Sequence, residues 1–105
     1  MLGFPANEFG AQEPGTNAQI AQFCERRFAV TFPMFEKIVV KGAGRHPLYS
    51  ALTAAQPSGE GDNEVRWNFE KFLVNRHGEV VGRFAPQVAP EDPVLVAAIE
   101  AELSR

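Results

Sequence analysis

The stretch Val65-Arg66-Trp67-Asn68-Phe69-Glu70-Lys71-Phe72-Leu73-Val74 constrains this chain more than any other. It runs through Asn75-Arg76-His77-Gly78 into Glu79-Val80-Val81-Gly82-Arg83-Phe84, which together read as a hairpin. The first arm places Trp67, Phe69 and Leu73 on one face and Phe72 and Val74 on the other. A strand apolar on both faces is expected inside a sheet covered by helices rather than in an open meander. Gly78 supplies the positive φ that a four-residue connection needs. The return arm is more polar, and Arg83 is expected to face outward, as suits a strand nearer the edge. The only tryptophan stands beside an asparagine at the mouth of this element. That pair is the first place to look for chemistry.

Composition narrows the rest. A chain of 105 residues that is 45% hydrophobic, with nine phenylalanines, is expected to form one soluble globular domain over residues 1–105 and to bury about two-thirds of its unfolded surface. A net charge of −3 argues against nucleic acid or an anionic membrane as partner, because no basic patch is present to release counterions. Arg26-Arg27 reads as a solvated helix face. A single cysteine excludes an internal disulfide and any cysteine-based zinc site. His46 and His77 show no metal-ligand spacing and read as a helix-start residue and a turn residue. No apolar run approaches the ~18 residues of a membrane span and no signal peptide opens the chain, so a cytoplasmic location is expected.

Along the chain, Met1-Leu2-Gly3-Phe4-Pro5 reads as the end of a buried strand, followed by a loop rich in turn formers up to Gly15. Thr16-Asn17-Ala18-Gln19 fits a capping box and predicts a helix to about Phe28, with Ile20, Phe23, Cys24 and Phe28 as its apolar stripe. Lys37 to Val40 predicts a short strand. Pro47 suits the first turn of a helix running from Leu48 to Ala55, with Leu48 and Leu52 inward. Gln56 to Asn63 reads as a mobile loop. After the hairpin, Glu91 and Asp92 favour the start of a final helix with Leu95, Ile99 and Leu103 on its buried side. The order strand, helix, strand, helix, strand, strand, helix predicts an α/β layer structure, a mixed sheet with helices on both faces.

Two stretches carry a resemblance to a known family. Leu2-Gly3-Phe4-Pro5-Ala6-Asn7-Glu8-Phe9-Gly10-Ala11-Gln12-Glu13-Pro14-Gly15 resembles the glutathione peroxidase signature L-G-F-P-C-N-Q-F-G-x-Q-E-P-G. Trp67-Asn68-Phe69-Glu70-Lys71-Phe72-Leu73-Val74 is similar to that family's W-N-F-x-K-F-L-V segment. Between them, Val30 to Phe35 and His46 to Tyr49 also resemble bacterial, cysteine-type members. The resemblance implies a thioredoxin-like fold, here incomplete, and reduction of hydrogen peroxide or organic hydroperoxides under oxidative stress. It implies no cofactor beyond a thiol co-substrate, glutathione or thioredoxin. In the family a cysteine or selenocysteine attacks the peroxide, becomes a sulfenic or selenenic acid, and is restored by thiols. A glutamine amide, a tryptophan indole N–H and an asparagine amide lower its pKa.

Carried over by position, the indole falls on Trp67 and the asparagine on Asn68. The glutamine falls on Glu8, whose ionised carboxylate only accepts hydrogen bonds and would repel a thiolate. Ala6 stands where a cysteine is common. The reactive residue of the family lies in an N-V-A-S-x-C-G-type segment upstream of the first motif, and no stretch here matches it. The chain is therefore expected to be the C-terminal portion of such an enzyme, begun within a central strand. Cys24 lies close to the place from which thioredoxin-using relatives supply a resolving cysteine, a role that requires a peroxidatic partner.

Each residue also has a plainer reading. Trp67 could be core, Asn68 could satisfy backbone groups at a strand end, Glu8 could be a solvated carboxylate, and Cys24 could be a small buried hydrophobe. At the level of the whole chain, the alternatives to a peroxidase half-site are two. One is an inactive remnant or interaction module that self-associates through an exposed sheet edge. The other is a one-cysteine peroxidase acting sluggishly through Cys24.

Overall fold

The computed structural model describes residues 1–56 and 64–104. In chain order it contains α1 (Asn17–Phe28), α2 (Pro47–Ala55), β1 (Lys71–Val74), β2 (Val80–Phe84) and α3 (Pro93–Leu103). The chain divides into two compact units, Met1–His46 and Pro47–Arg105.

In the first unit, α1 begins as its sequence dictates. The Thr16 hydroxyl accepts a hydrogen bond from the Gln19 N–H at 3.2 Å, and the Gln19 side chain accepts one from the Thr16 N–H at 2.9 Å. Two otherwise orphan donors are thereby satisfied. Only half of the predicted stripe is covered: Ile20 is buried and Cys24 half-buried, whereas Phe23 and Phe28 are exposed and pack edge-to-face at 5.7 Å. The strands predicted near Gly3 and at Lys37–Val40 reduce to one parallel bridge, Gly3 to Met34. There the Gly3 N–H donates to Pro33 O and the Phe35 N–H donates to Gly3 O. A second rung fails for a local reason. Pro5 has no N–H to donate, and the Lys37 N–H goes to Asn17 Oδ1 at 2.8 Å. Pro5 O instead accepts from Ile38 N, one residue out of step. The unit's small core is Phe9, Ile20 and Val40.

In the second unit, α2 opens on Pro47 as predicted and buries Leu52 and Thr53, while Leu48 is largely exposed rather than inward. The Thr53 hydroxyl is satisfied by donating to Tyr49 O at 2.7 Å. The hairpin is present but its first arm is short. β1 pairs antiparallel with β2, Lys71 opposite Phe84 and Phe72 opposite Arg83, with an irregularity between Leu73 and Val74. Residues 65–70 are not strand: the chain turns at Trp67–Phe69, where Phe69 takes φ +68°. Gly78 adopts φ +82° in the connection, and Asn75 Oδ1 accepts from the His77 and Glu79 N–H groups, both at 2.9 Å.

The sheet so formed has two strands among the described residues, so β1 is not the enclosed central strand that its apolar faces suggest. Trp67, Phe69 and Val74 are all exposed. Arg83 corrects the outward expectation: its side chain is 4% exposed. α3 is capped by Asp92, whose Oδ1 accepts from Val94 N at 2.9 Å. Of the three residues expected on its buried side, Leu95 is buried, whereas Ile99 and Leu103 are exposed. Most of the loop expected over Gln56 to Asn63, from residue 57 to 63, lies outside the described residues.

Candidate functional site

The turn at Trp67–Phe69 carries the candidate residues Trp67 and Asn68. Arg66, Trp67, Asn68, Phe69, Pro86 and Gln87 line an open depression at this turn. Trp67 is 47% exposed and Asn68 half-buried. The indole is therefore not sealed into a core, as the plain reading of a lone tryptophan would have it. The wall of this depression is rich in N–H donors: an indole, two carboxamides and a guanidinium. No carboxylate is among its lining residues, which suits it to an electron-rich atom.

A charged cluster stands behind the turn. The Glu70 carboxylate is completely buried. Its Oε1 accepts from Arg66 Nε at 2.7 Å and its Oε2 from an Arg83 guanidinium nitrogen at 2.8 Å. Arg83 donates further to Gln56 O at 2.9 Å and to Glu64 O at 2.8 Å, and its guanidinium lies 5.0 Å over the Phe72 ring. Tyr49 meets the Phe72 ring edge-on, the two centroids 6.0 Å apart. Burial, and then the charge of Glu70, raise the Tyr49 hydroxyl above its ordinary pKa. Lys71 Nζ donates to Phe69 O at 2.7 Å, and burial lowers its pKa.

Sequence reasoning passed over Glu70 and Gln87 and turned Arg83 outward. The available signal was Arg66 and Glu70 four residues apart, with an arginine on the returning strand opposite a residue two positions from Glu70. A charge-bearing apolar arm implies a buried pair.

Glu8 and Cys24 belong to the first unit. Glu8 Oε1 accepts from the Val40 N–H at 2.6 Å and Oε2 from the Asn7 N–H at 3.2 Å, so the carboxylate is engaged as a backbone acceptor. Cys24 sits in the middle of α1; partial burial, and then the charge of Glu13, push its thiol above the ordinary value. That thiol stays protonated at neutral pH. Among the described residues no group of three or more His, Cys, Asp or Glu side chains could hold a metal ion, and no helix is long and apolar enough to cross a membrane.

Comparison with known proteins identifies the family. The structure resembles the crystal structure of Trgpx in apo form with a TM-score of 0.69 at 40% identity, covering 94% of this chain and 56% of that one. It resembles that of T. cruzi GPX1 with a TM-score of 0.68 at 34% identity, covering 97% of this chain and 56% of that one. The fold is thus α/β of the thioredoxin-like class. The family profile "Glutathione peroxidase" matches residues 1–53. The thioredoxin/glutathione peroxidase BtuE of Escherichia coli is 43% identical, covering all of this chain and 68% of that protein. The hydroperoxy fatty acid reductase gpx1 of Synechocystis is 48% identical over 88% of this chain and 57% of its own length. The glutathione peroxidase homolog BsaA of Bacillus subtilis is also 48% identical, over 88% of this chain and 58% of its own length. The chain belongs to the glutathione peroxidase family. It spans between 56% and 68% of the length of these relatives.

Proposed function

We propose that this chain carries the donor wall of a thiol peroxidase site, with the Trp67 indole N–H and the Asn68 amide cradling the reactive sulfur. In the reaction a thiolate attacks the terminal oxygen of a hydroperoxide. The O–O bond breaks, the leaving alkoxide or hydroxide takes a proton, and the sulfur becomes a sulfenic acid. Two thiols then return two electrons, releasing water and a disulfide. The names of the relatives point to glutathione or thioredoxin as reductant and to fatty acid hydroperoxides as one substrate; the family resemblance adds hydrogen peroxide and other organic hydroperoxides. No metal or organic cofactor takes part in that scheme. The reaction belongs to the oxidative-stress chemistry of the cytoplasm.

The observation that carries the reading is the half-exposed indole beside Asn68 at an open depression. Donors fixed there favour the thiolate over the thiol and so lower the pKa of an incoming cysteine. Glu8 holds the place of the family's amide but spends both oxygens on backbone N–H groups, so its role in this reading is to shape its loop. Cys24 serves in this reading only as a resolving thiol for an oxidised partner sulfur, a step that requires its deprotonation against a raised pKa.

The test is peroxide turnover coupled to glutathione or thioredoxin reduction. The isolated chain is expected to turn over negligibly. A chimera that supplies the family's cysteine-bearing N-V-A-S-x-C-G-type segment ahead of Met1 is expected to be active, and Trp67→Phe and Asn68→Ala are each expected to lower its kcat/KM by about 100- to 1,000-fold. A folded, active chimera indifferent to both substitutions sinks the proposal, as does robust turnover by the chain alone.

A second reading has its own support. β1 pairs with β2 on one side, and among the described residues no strand pairs with its other edge. Phe69 stands 82% exposed near that edge. An open edge beside apolar side chains favours self-association, which fits an interaction module as well as a half-site.

A further inference from the structure

The two residues flanking the donor turn are charged and joined: Arg66 immediately precedes Trp67, Glu70 immediately follows Phe69, and they meet at 2.7 Å. The enclosed turn is not one that its residues favour, since Phe69, a bulky side chain, is held at φ +68°. Left-handed backbone at such a residue persists only when its surroundings over-determine it. Three contacts do so here. Arg66 closes the turn from its exposed side, Lys71 Nζ ties down the Phe69 carbonyl at 2.7 Å, and Arg83 anchors Glu70 from within. Arg83 is itself fixed by Gln56 O, Glu64 O and the Phe72 ring.

We infer that Glu70 is a positioning residue, which through Arg66 and Arg83 clamps the strained Trp67–Phe69 turn so that the indole and the Asn68 amide face the open depression together. A carboxylate suits this task because its two oxygens serve two guanidinium groups at once, one on each side of the turn. A neutral amide at position 70 could accept on one side only and would present N–H groups to the second arginine. The catalytic meaning of the clamp rests on the half-site reading proposed above; the clamp itself does not.

Trp67 is the only tryptophan, so time-resolved fluorescence anisotropy of the 105-residue chain reports this turn alone. Glu70→Gln is expected to raise the fast-decaying share of the Trp67 anisotropy by about twofold, the signature of a turn loosened on the nanosecond scale. Arg66→Gln leaves the buried Glu70–Arg83 pair in place and is expected to act in the same direction with a folded chain, should Glu70→Gln fail to fold. Leu95→Ala, a core lesion elsewhere in the unit, is expected to lower the urea midpoint without changing the fast component. An unchanged fast component in Arg66→Gln and in any folded Glu70→Gln overturns the inference, and so does an equal rise in Leu95→Ala. If the anisotropy responds as expected while the chimera ignores Trp67→Phe, the clamp stands and the half-site falls. If the chimera needs Trp67 but the anisotropy does not move, the reverse holds.

Discussion

Cys24 and Phe69 show what neighbours do to a single residue. A cysteine becomes a nucleophile where positive charge or N–H donors favour its thiolate. At Cys24 the influences run the other way, burial first and the Glu13 carboxylate second. The sign follows directly: the folded state prefers the protonated thiol. Any stability this group contributes is therefore present below the ordinary pKa of 9.0 and is lost as pH rises through the raised value. Iodoacetamide is expected to alkylate Cys24 several-fold more slowly than free cysteine at pH 7.5, with a rate midpoint above 9.0; a faster rate, or a midpoint below that value, would contradict the inert-thiol reading. Phe69 is the opposite kind of case. Left-handed backbone at such a residue costs about 1–3 kcal/mol, and nothing in the identity of a phenylalanine announces it. Trp67 and Asn68 were legible as candidates, because the motif around them singles out those two types. The clamp was not, because Glu70 and Arg83 are 13 residues apart and meet only through the hairpin register.

Elements whose ends are set by adjacent residues appear where the sequence puts them. α1 starts at the Thr16–Gln19 capping box, α2 at Pro47 and α3 at Asp92 with Pro93 at its first turn. Strands depend on partners far along the chain, and there the local pattern misleads. Alternation continues through residues 65–70, yet the backbone turns at Trp67–Phe69 and β1 shrinks to four residues. The parallel rung beyond Gly3 is lost because Pro5 cannot donate and Asn17 captures the Lys37 N–H. The hairpin turn is the one strand feature fixed locally. Gly78 holds φ +82° with open space around its α-carbon, so Gly78→Ala meets strain without collision. That substitution is expected to cost about 1 kcal/mol, read as a lower urea midpoint at unchanged slope. A midpoint equal to or above that of the parent chain would show that the turn is not held left-handed.

For the chain as a whole, burial is thin. Phe9 is the one buried phenylalanine of nine, and no apolar residue among the described residues is fully sealed from solvent. α3 is apolar nearly all round but buries Leu95, leaving Val94, Ile99 and Leu103 exposed. Helices of that composition ordinarily lie within a larger core. With such surfaces, and with no strand among the described residues on the second edge of β1, the isolated chain is expected to self-associate. Sedimentation velocity between about 5 and 200 μM should show a rising weight-average mass, consistent with an exposed apolar face. A concentration-independent monomer would remove the support for the interaction-module reading. By itself the sequence determined the helix starts, the hairpin turn and the family, and it nominated Trp67 and Asn68 as candidates, because caps, turn glycines and short motifs act over a few neighbouring residues. Only the tertiary structure decided that Arg83 turns inward, that the arm carrying Trp67 bends instead of extending, and that a buried carboxylate holds that bend. Each of those depends on which groups far apart in the chain must share one low-dielectric space, where an arginine and a glutamate have to find each other.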